Sequence, residues 1–305
     1  MDKLIAIIGP TGIGKTKLAI QLALRFDGEI INADSRQIYR HMDIGTAKPT
    51  GEELATIRHH LVDIIEPNEE FSLAEYRRLA DDTINDIQTQ GKLPFLVGGS
   101  GLYVWAVLEG WVVPKVAPDV LFRRELEKKA EMGQGAELFQ ELIKLDPAAA
   151  EKIDPRNVRR VIRAIEVNKF SKTPFSTLQK KQTPPFQSLI IGLTADRKEL
   201  YRRVDERVDN MLKQGFVEEV SSLKQMGYNL SLPSMSSIGY REIGLYLSGE
   251  MTLEETIYKI KTGTHRFIRH QYAWFRLKDE RIKWFDIGKA REGEITSAVD
   301  EFLKR

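Results

Sequence analysis

Cysteine is absent from this 305-residue sequence, which excludes disulfide bonds and thiolate metal sites. Net charge is also small, +2 from 46 basic and 44 acidic side chains, so the chain is not coated in positive potential. No apolar run approaches the ~20 residues that a membrane-spanning helix requires, and the N-terminal run is too short for the core of a signal peptide. These absences predict a cytoplasmic protein without a membrane segment.

The composition is that of a globular protein with a sizeable core, since hydrophobic residues make up 42% of it and charged residues 30%. A chain of this length suggests about two domains. Arginines cluster at 156–163 and at 266–276. Local basic stripes on a nearly neutral chain suit a protein that binds one defined polyanion, although any one cluster is more often an ordinary solvated face.

The most informative motif is a phosphate-binding loop that directly follows the apolar run 4–8 and precedes an amphipathic helix. Its glycines let several backbone N–H groups converge on phosphate oxygens, Lys15 adds a charge, and Thr16 offers a hydroxyl to Mg²⁺. The helix that follows presents its positive end to the same place. The motif predicts a diphosphate site made of Gly9, Pro10, Thr11, Gly12, Ile13, Gly14, Lys15 and Thr16.

Strand and helix signals alternate in the first part of the chain. Apolar segments at 29–33 and 93–97 each lead into a polar or glycine-rich loop, and a further strand is predicted at 188–193. This rhythm predicts an α/β fold with a parallel sheet flanked by helices. Ligands then bind at the carboxyl ends of the strands, where these loops gather.

The segment 116–187 is helical and charged, without strand signals, and predicts an all-helical insertion. Its clearest helix follows Asp154, with apolar residues on one face and arginines on the other. The catalytic core would then comprise 1–115 and 188–305, and its C-terminal part is predicted to be helical, with helices near 198–214, 216–226, 239–248 and 253–277.

Two groups outside the phosphate loop are candidates for chemistry. The strand 93–97 ends without the second acid that an ATPase or GTPase uses, and Asp34 is the acid that ends an earlier strand. Asp34 suits a general base, or else it caps a following helix. Arg203 and Arg207 lie one helical turn apart and suit a clamp on a leaving phosphate group, or else pair with the acids interleaved among them.

Segment 264–276 mixes basic and aromatic side chains, which suits contact with a nucleic-acid backbone. Trp274 and Phe275 within it fit core positions better. The adjacent pair His59 and His60 lacks the spacing of a helical zinc site.

Taken together, these motifs resemble the tRNA dimethylallyltransferases, also called tRNA isopentenyltransferases. The run from Met42 to Pro49 is far more specific than the phosphate loop, and nucleotide kinases have no equivalent of it. The matching strings span nearly the whole chain and comprise residues 9–16, 34–39, 42–49, 60–63, 98–103, 160–167, 239–241 and 271–276.

The resemblance implies transfer of a dimethylallyl group from its diphosphate to the exocyclic amine of the adenosine 3′ of the anticodon, in tRNAs that read U-initial codons. It assigns the general-base role to Asp34, while Thr16 and Arg207, with Mg²⁺, stabilise the departing diphosphate. The insertion would grip the anticodon arm. The residues that the resemblance places against tRNA are Asp34, Ser35, Arg36, Gln37, Ser100, Arg123, Arg159, Arg160 and Arg163.

The chain departs from the family pattern at a few positions. Ser100 stands where threonine is common, which keeps the hydroxyl, and Arg159 stands where glutamine is common, which adds a charge. Arg269-His270 replaces a Lys-Arg pair, and His41 replaces a glycine. None of these removes a group that the chemistry requires.

Three other functions stay open on the sequence alone. A nucleotide kinase would use the same loop with ATP, a relative could prenylate free AMP, ADP or ATP, and an RNA-binding protein could carry a relict loop. The missing second acid and the run 42–49 count against the kinase. The helical insertion with its arginine face favours a macromolecular acceptor over a free nucleotide, and the intact Lys15, Thr16 and Asp34 count against a relict loop. A monomer is expected, because both substrates must enter one pocket.

Overall fold

The computed structural model describes residues 2–114, 116, 119–171, 173–178, 181–290 and 293–305. The chain divides into two compact units, the first formed by Met1–Leu108 with Pro184–Arg305 and the second by Glu109–Thr183. The second unit begins and ends somewhat before the predicted insertion, 116–187, and Lys115, at the predicted boundary, lies outside the described residues.

The first unit is built on a parallel sheet, which confirms the predicted α/β class. The strands run in the order β3-β2-β4-β1-β5-β6, and every hydrogen-bonded pair among them is parallel. Ile7 of the central strand lies opposite Val97 on one side and Ile191 on the other. The strands are β1 Asp2–Ile8, β2 Gly28–Asn32, β3 His59–His60, β4 Leu93–Gly98, β5 Phe186–Thr194 and β6 Ile282–Asp286.

The helices follow in chain order. Those before the second unit are α1 Lys15–Arg25, α2 Gly51–Thr56, α3 Leu73–Thr89 and α4 Gly101–Leu108. The second unit holds α5 Val120–Lys129, a π-helical turn Ala130–Gln134, α6 Gly135–Leu145, α7 Pro147–Ala150, α8 Val158–Phe170 and α9 Phe175–Leu178. The remainder of the first unit holds α10 Arg197–Lys213, α11 Phe216–Gln225, a 3₁₀ turn Ser234–Ser236, α12 Tyr240–Leu247, α13 Leu253–Trp274 and α14 Glu294–Lys304.

Local signals explain several helix starts. Thr50, Ser72 and Thr252 each begin a helix with a capping box, in which the hydroxyl accepts from the backbone N–H three residues on and a glutamate there returns the bond. Among the helices of the described residues, none has the length and apolar character to cross a bilayer.

Within the described part of the chain, buried side chains form three cores. One lies on the sheet and includes Ile5, Phe95 and Ile191; the second joins the loop after β2 to α10–α12 through Met42 and Phe216; the third lies within the second unit. The second core fixes the loops at the carboxyl end of the sheet.

Two features of the C-terminal region differ from expectation. Strand β6 was not predicted, because its sequence Ile-Lys-Trp-Phe-Asp is short and lies among charged residues. Helix α13 ends at Trp274, and although Phe275 is buried at 1% exposure, Trp274 is 44% exposed, so its predicted core position is wrong. A Cβ on Gly101 would lie 2.3 Å from the Trp274 ring; the indole therefore packs on bare backbone and leaves its other side open.

Candidate active site

The phosphate loop joins β1 to α1, and its glycines have positive φ angles of 144°, 77° and 97° at Gly9, Gly12 and Gly14. Close neighbours also require glycine at two of these positions. A Cβ on Gly9 would lie 2.6 Å from the carbonyl oxygen of Leu193, and a Cβ on Gly12 would lie 2.5 Å from a methyl of Val204. Gly14 faces open space. The loop backbone is thus pressed onto β5 and α10 while the start of α1 stays open, as a phosphate site requires.

Two cations and one carboxylate meet beside this loop. Lys15 Nζ donates to the carbonyl of Pro10 at 2.8 Å. Burial lowers the pKa of Lys15 to about 8; the Asp34 carboxylate opposes this shift, and the Arg207 guanidinium adds to it. Burial also lowers the pKa of Arg207, again opposed by Asp34. The guanidinium of Arg207 makes no hydrogen bond or ion pair with another described residue, so it is available to an anion.

The two arginines of α10 have different surroundings. Arg203 Nε donates to Glu199 at 2.7 Å, and both side chains are partly exposed. Ion pairing therefore accounts for Arg203, whereas Arg207 is the arginine within electrostatic range of Lys15 and Asp34.

Asp34 is held by a turn rather than by a helix. Its backbone N–H donates to Asn32 Oδ1 at 2.9 Å, and Asn32 Nδ2 donates to the carbonyls of Asp34 and Leu61 at 3.0 and 2.9 Å. The Asp34 Oδ1 atom accepts from the backbone N–H of Arg36 at 2.9 Å, an Asx turn. No helix of the described chain begins there, so the helix-cap alternative does not apply. The second carboxylate oxygen makes no hydrogen bond within the described chain.

The loops after β2 and β4 are bonded to each other. Ser100 Oγ accepts from the backbone N–H of Ser35 at 2.9 Å and donates to its hydroxyl at 3.2 Å. Arg36 Nη1 donates to the carbonyl of Pro233 at 3.0 Å, and Gln37 Nε2 donates to the carbonyls of Thr46 and Ala47. The structure thus brings the phosphate loop, residues 34–37 and Ser100 together at the carboxyl end of the sheet.

The run 42–49, so specific in sequence, is held by groups that sequence reasoning missed. The Glu219 carboxylate on α11 accepts from the backbone N–H groups of Asp43, Ile44 and Gly45 at 2.9, 2.7 and 3.2 Å, and from the Tyr240 hydroxyl at 2.6 Å. Nothing in the sequence marks Glu219 out from the glutamate before it.

Two features inside the run 42–49 also hold it in place. A Cβ on Gly45 would lie 2.1 Å from the Phe216 ring. The Lys48 side chain is only 3% exposed; it binds both Asp43 and Asp63 and donates to the carbonyl of Tyr39 at 2.9 Å. The run is therefore a structural loop whose carbonyls hold Gln37.

Gln271 of α13 is a second missed residue. It lies in a matching string, but the residue is only 3% exposed, and its side-chain amide bonds the backbone of both Thr11 and Gly99. The mixture of basic and aromatic residues around it indicated a surface, not a buried support for the phosphate loop.

The remaining predicted contacts lie in the second unit. The fully buried Glu166 carboxylate accepts from Arg123 at 2.7 Å and from Arg163 at 2.5 Å. Burial alone would raise the pKa of Glu166, but hydrogen bonds from the two arginines and from the backbone of Asp119 outweigh it and hold that pKa below its usual value. Arg163 is thus partly buried rather than on the solvent face, whereas Arg159 and Arg160 are exposed.

The chain is similar to known proteins along most of its length. The family model described as IPP transferase matches residues 37–278. A tRNA dimethylallyltransferase from Dehalococcoides mccartyi is 51% identical over 300 residues, covering 98% of this chain and 92% of that protein. The crystal structure of the full-length tRNA isopentenylpyrophosphate transferase from Bacillus halodurans is 41% identical, with a TM-score of 0.73, and the match covers 100% of this chain and 96% of that one. A eukaryotic dimethylallyltransferase, crystallised acting on tRNA, is 29% identical with a TM-score of 0.84, covering 100% of this chain and 80% of that one. The chain belongs to the IPP transferase family, the tRNA dimethylallyltransferases, and is a transferase enzyme.

Proposed function

We propose that this enzyme transfers a dimethylallyl group from dimethylallyl diphosphate to the exocyclic N6 amine of the adenosine 3′ of the anticodon, in tRNAs that read U-initial codons, and releases diphosphate. The observation that carries this proposal is the Asp34 carboxylate beside Lys15 and Arg207; one Asp34 oxygen and the Arg207 guanidinium make no hydrogen bond with other described residues. A base next to a diphosphate site is what prenyl transfer to a weak amine nucleophile requires.

The first chemical demand is to stabilise the leaving group. An allylic diphosphate ionises readily, so negative charge grows on the diphosphate as the carbon–oxygen bond breaks. The backbone N–H groups of 12–16, the Lys15 ammonium and the Arg207 guanidinium are fixed donors for that charge. Burial around the Lys15 and Arg207 side chains strengthens the interaction, because water competes less with it.

The residues around the loop fit a magnesium ion carried by the substrate. The Thr16 hydroxyl makes no hydrogen bond within the described chain, and the described residues contain no cluster of three or more acids and histidines suited to a metal. Such an ion would therefore take its other ligands from diphosphate oxygens and water. When bound, it neutralises charge on the leaving diphosphate.

The second demand is to activate the acceptor. The lone pair of an adenine amine is shared with the ring, so attack becomes productive when Asp34 accepts the amine proton as the new bond forms. The adenosine must first leave its stack, at a cost of a few kcal/mol. Contacts to tRNA offset this cost, and we assign them to Asp34–Gln37 and Ser100 in the first unit and to Arg123, Arg159, Arg160 and Arg163 in the second. A cytoplasmic location, a monomeric state and a hold on the anticodon arm stay predictions from the sequence.

The test is a transfer assay with radiolabelled dimethylallyl diphosphate, Mg²⁺ and unmodified tRNA. Parallel reactions contain a tRNA with guanosine in place of the target adenosine, a tRNA that reads A-initial codons, or free AMP, ADP or ATP. Label in the first tRNA alone supports the proposal. Label in free nucleotide would assign the enzyme to the adenylate-prenylating relatives, and consumption of ATP without label transfer would indicate a kinase.

A further inference from the structure

Two tyrosines at the carboxyl end of the sheet have hydroxyls that bond no other residue the structure describes. Tyr39 and Tyr103 are each 7% exposed, yet neither hydroxyl bonds another described residue. The fully enclosed side-chain atoms that lack a partner in the described chain are His59 Nε2 and Trp284 Nε1. The phenolic oxygens are not among them, so the small exposed part of each tyrosine includes its hydroxyl. Buried polar groups are nearly always paired, so an unpaired hydroxyl that still reaches solvent is available to a ligand.

The Tyr103 ring is rigidly held. It stacks on Tyr76 with ring centroids 3.7 Å apart and planes 13° from parallel. The Tyr76 hydroxyl donates to the carbonyl of Asn32 at 3.1 Å, and the same Asn32 holds the backbone of Asp34. The Tyr103 backbone N–H donates to the carbonyl of Ser100 at 2.9 Å. Tyr103 is therefore fixed to the network that fixes the proposed base.

The Tyr103 hydroxyl also lies within electrostatic range of the Asp34 carboxylate. Burial raises the pKa of Tyr103, Tyr39 and Asp34 add to the shift, and Arg36 opposes it. The phenol is thus neutral near pH 7 and able to donate. Asp34 thus lies within electrostatic range of Lys15 and Arg207 and also of Tyr103. Tyr39 and Arg36 in turn lie within range of Tyr103.

We propose that the Tyr103 hydroxyl hydrogen-bonds the acceptor nucleoside and that Tyr39 lines the same acceptor side of Asp34. The diphosphate is already matched by the loop amides, Lys15 and Arg207, and a dimethylallyl group has no polar atom for a phenol to bond. A nucleoside offers ring nitrogens and ribose hydroxyls. This inference rests on the proposed function and names a further binding residue for it.

The test compares Tyr103→Phe with wild type in the full chain, with both substrates varied separately. Phenylalanine keeps the stack on Tyr76 and removes only the hydroxyl. Loss of one neutral hydrogen bond should raise KM for tRNA about 3- to 10-fold, with KM for dimethylallyl diphosphate and Tm unchanged; Tyr39→Phe should act in the same direction. Tyr228→Phe is the matched control, since that hydroxyl donates to Glu66 at 2.9 Å away from the site, and it should leave both KM values unchanged.

Each contrary result has a distinct meaning. If wild type transfers label to tRNA and Tyr103→Phe has the same KM for tRNA, or raises only the KM for dimethylallyl diphosphate, the inference is overturned while the proposed function stands. A fall in Tm without a change in KM would make Tyr103 a structural residue and overturn it as well. If wild type transfers no label to tRNA, the proposed function itself fails.

Discussion

Gln271 Oε1 accepts a hydrogen bond from the backbone N–H of Thr11 at 2.9 Å, and the Nε2 atom of the same amide donates to the carbonyl of Gly99 at 3.1 Å. One buried side chain of α13 thus ties the phosphate loop to the loop that precedes α4. A Cβ on Gly99 would lie 2.3 Å from that Nε2 atom, so glycine at 99 leaves room for the Gln271 amide in this position.

We expect Gln271→Met to raise KM for dimethylallyl diphosphate. Methionine has a similar length but leaves the Thr11 N–H and the Gly99 carbonyl unpaired, and each such loss costs about 1–3 kcal/mol. A KM increase of about 10-fold with a lower Tm would fit this role. Gln225→Met, at an exposed position of α11, is the control and should change neither quantity. An unchanged KM in Gln271→Met would show that the phosphate loop keeps its shape without this support.

The features that could be predicted from the sequence are those that depend on a local residue pattern. The phosphate loop and strands β1, β2, β4 and β5 follow from motifs and apolar periodicity. The role suggested for Asp34 rests on its place at a strand end and stays a prediction. Glu219 and Gln271 were missed because each acts by bonding backbone far away in the chain, 174 to 176 residues away for Glu219 and 172 to 260 for Gln271. No local pattern reports such pairings. Glu166 was missed for a related reason: its helix showed an arginine face, but not the buried carboxylate that holds two of the arginines.

The pH dependence of the reaction should report the charge state of Lys15. With its pKa lowered to about 8 in the free enzyme, Lys15 is charged below that pH and neutral above it. We expect kcat/KM for dimethylallyl diphosphate to fall as the pH rises through about 8, because the neutral amine no longer attracts the diphosphate. Bound diphosphate raises the pKa of Lys15, so kcat should fall only at higher pH. In Lys15→Arg the side chain stays charged; a decline near the same pH in that variant would assign it to another group.

Glu219 should contribute mainly to stability. Glu219→Gln keeps the size of the side chain but loses the charge that three backbone N–H groups and the Tyr240 hydroxyl face. We expect the free energy of unfolding in urea to fall by about 2 kcal/mol, since hydrogen bonds to charged groups contribute ~1.5–3 kcal/mol. Glu218→Gln alters the neighbouring exposed glutamate and should leave it unchanged. Equal effects of the two variants would mean that the carboxylate does not stabilise the run 42–49.

We expect Arg160 to contribute to tRNA binding through its positive charge. Its side chain is exposed and makes no ion pair within the described chain, so Arg160→Ala should weaken tRNA binding without lowering Tm. If Arg160 contacts one phosphate, the slope of log Kd against log salt should fall by about 0.7–1. Arg156→Ala is the contrast, because Asp154 already pairs with Arg156 at 2.7 Å. A slope that changes equally in both variants, or in neither, would contradict a specific phosphate contact by Arg160.

The Asp34→Asn variant distinguishes a general-base role of Asp34 from a role as a tRNA contact alone. Asparagine keeps an oxygen for the Arg36 N–H bond at 2.9 Å, so the turn and the Tm should survive, but an amide cannot take the amine proton. We expect turnover to fall by on the order of 10²–10⁴. The Kd for tRNA, measured by filter binding, should stay within about 2-fold, because asparagine keeps the size of the side chain and a polar oxygen for its tRNA contact. Dimethylallyl diphosphate should bind at least as tightly as in wild type, because the variant removes a negative charge beside Lys15 and Arg207. Equal losses in tRNA binding and turnover would instead make Asp34 a contact residue and leave the proton acceptor to be found among its neighbours.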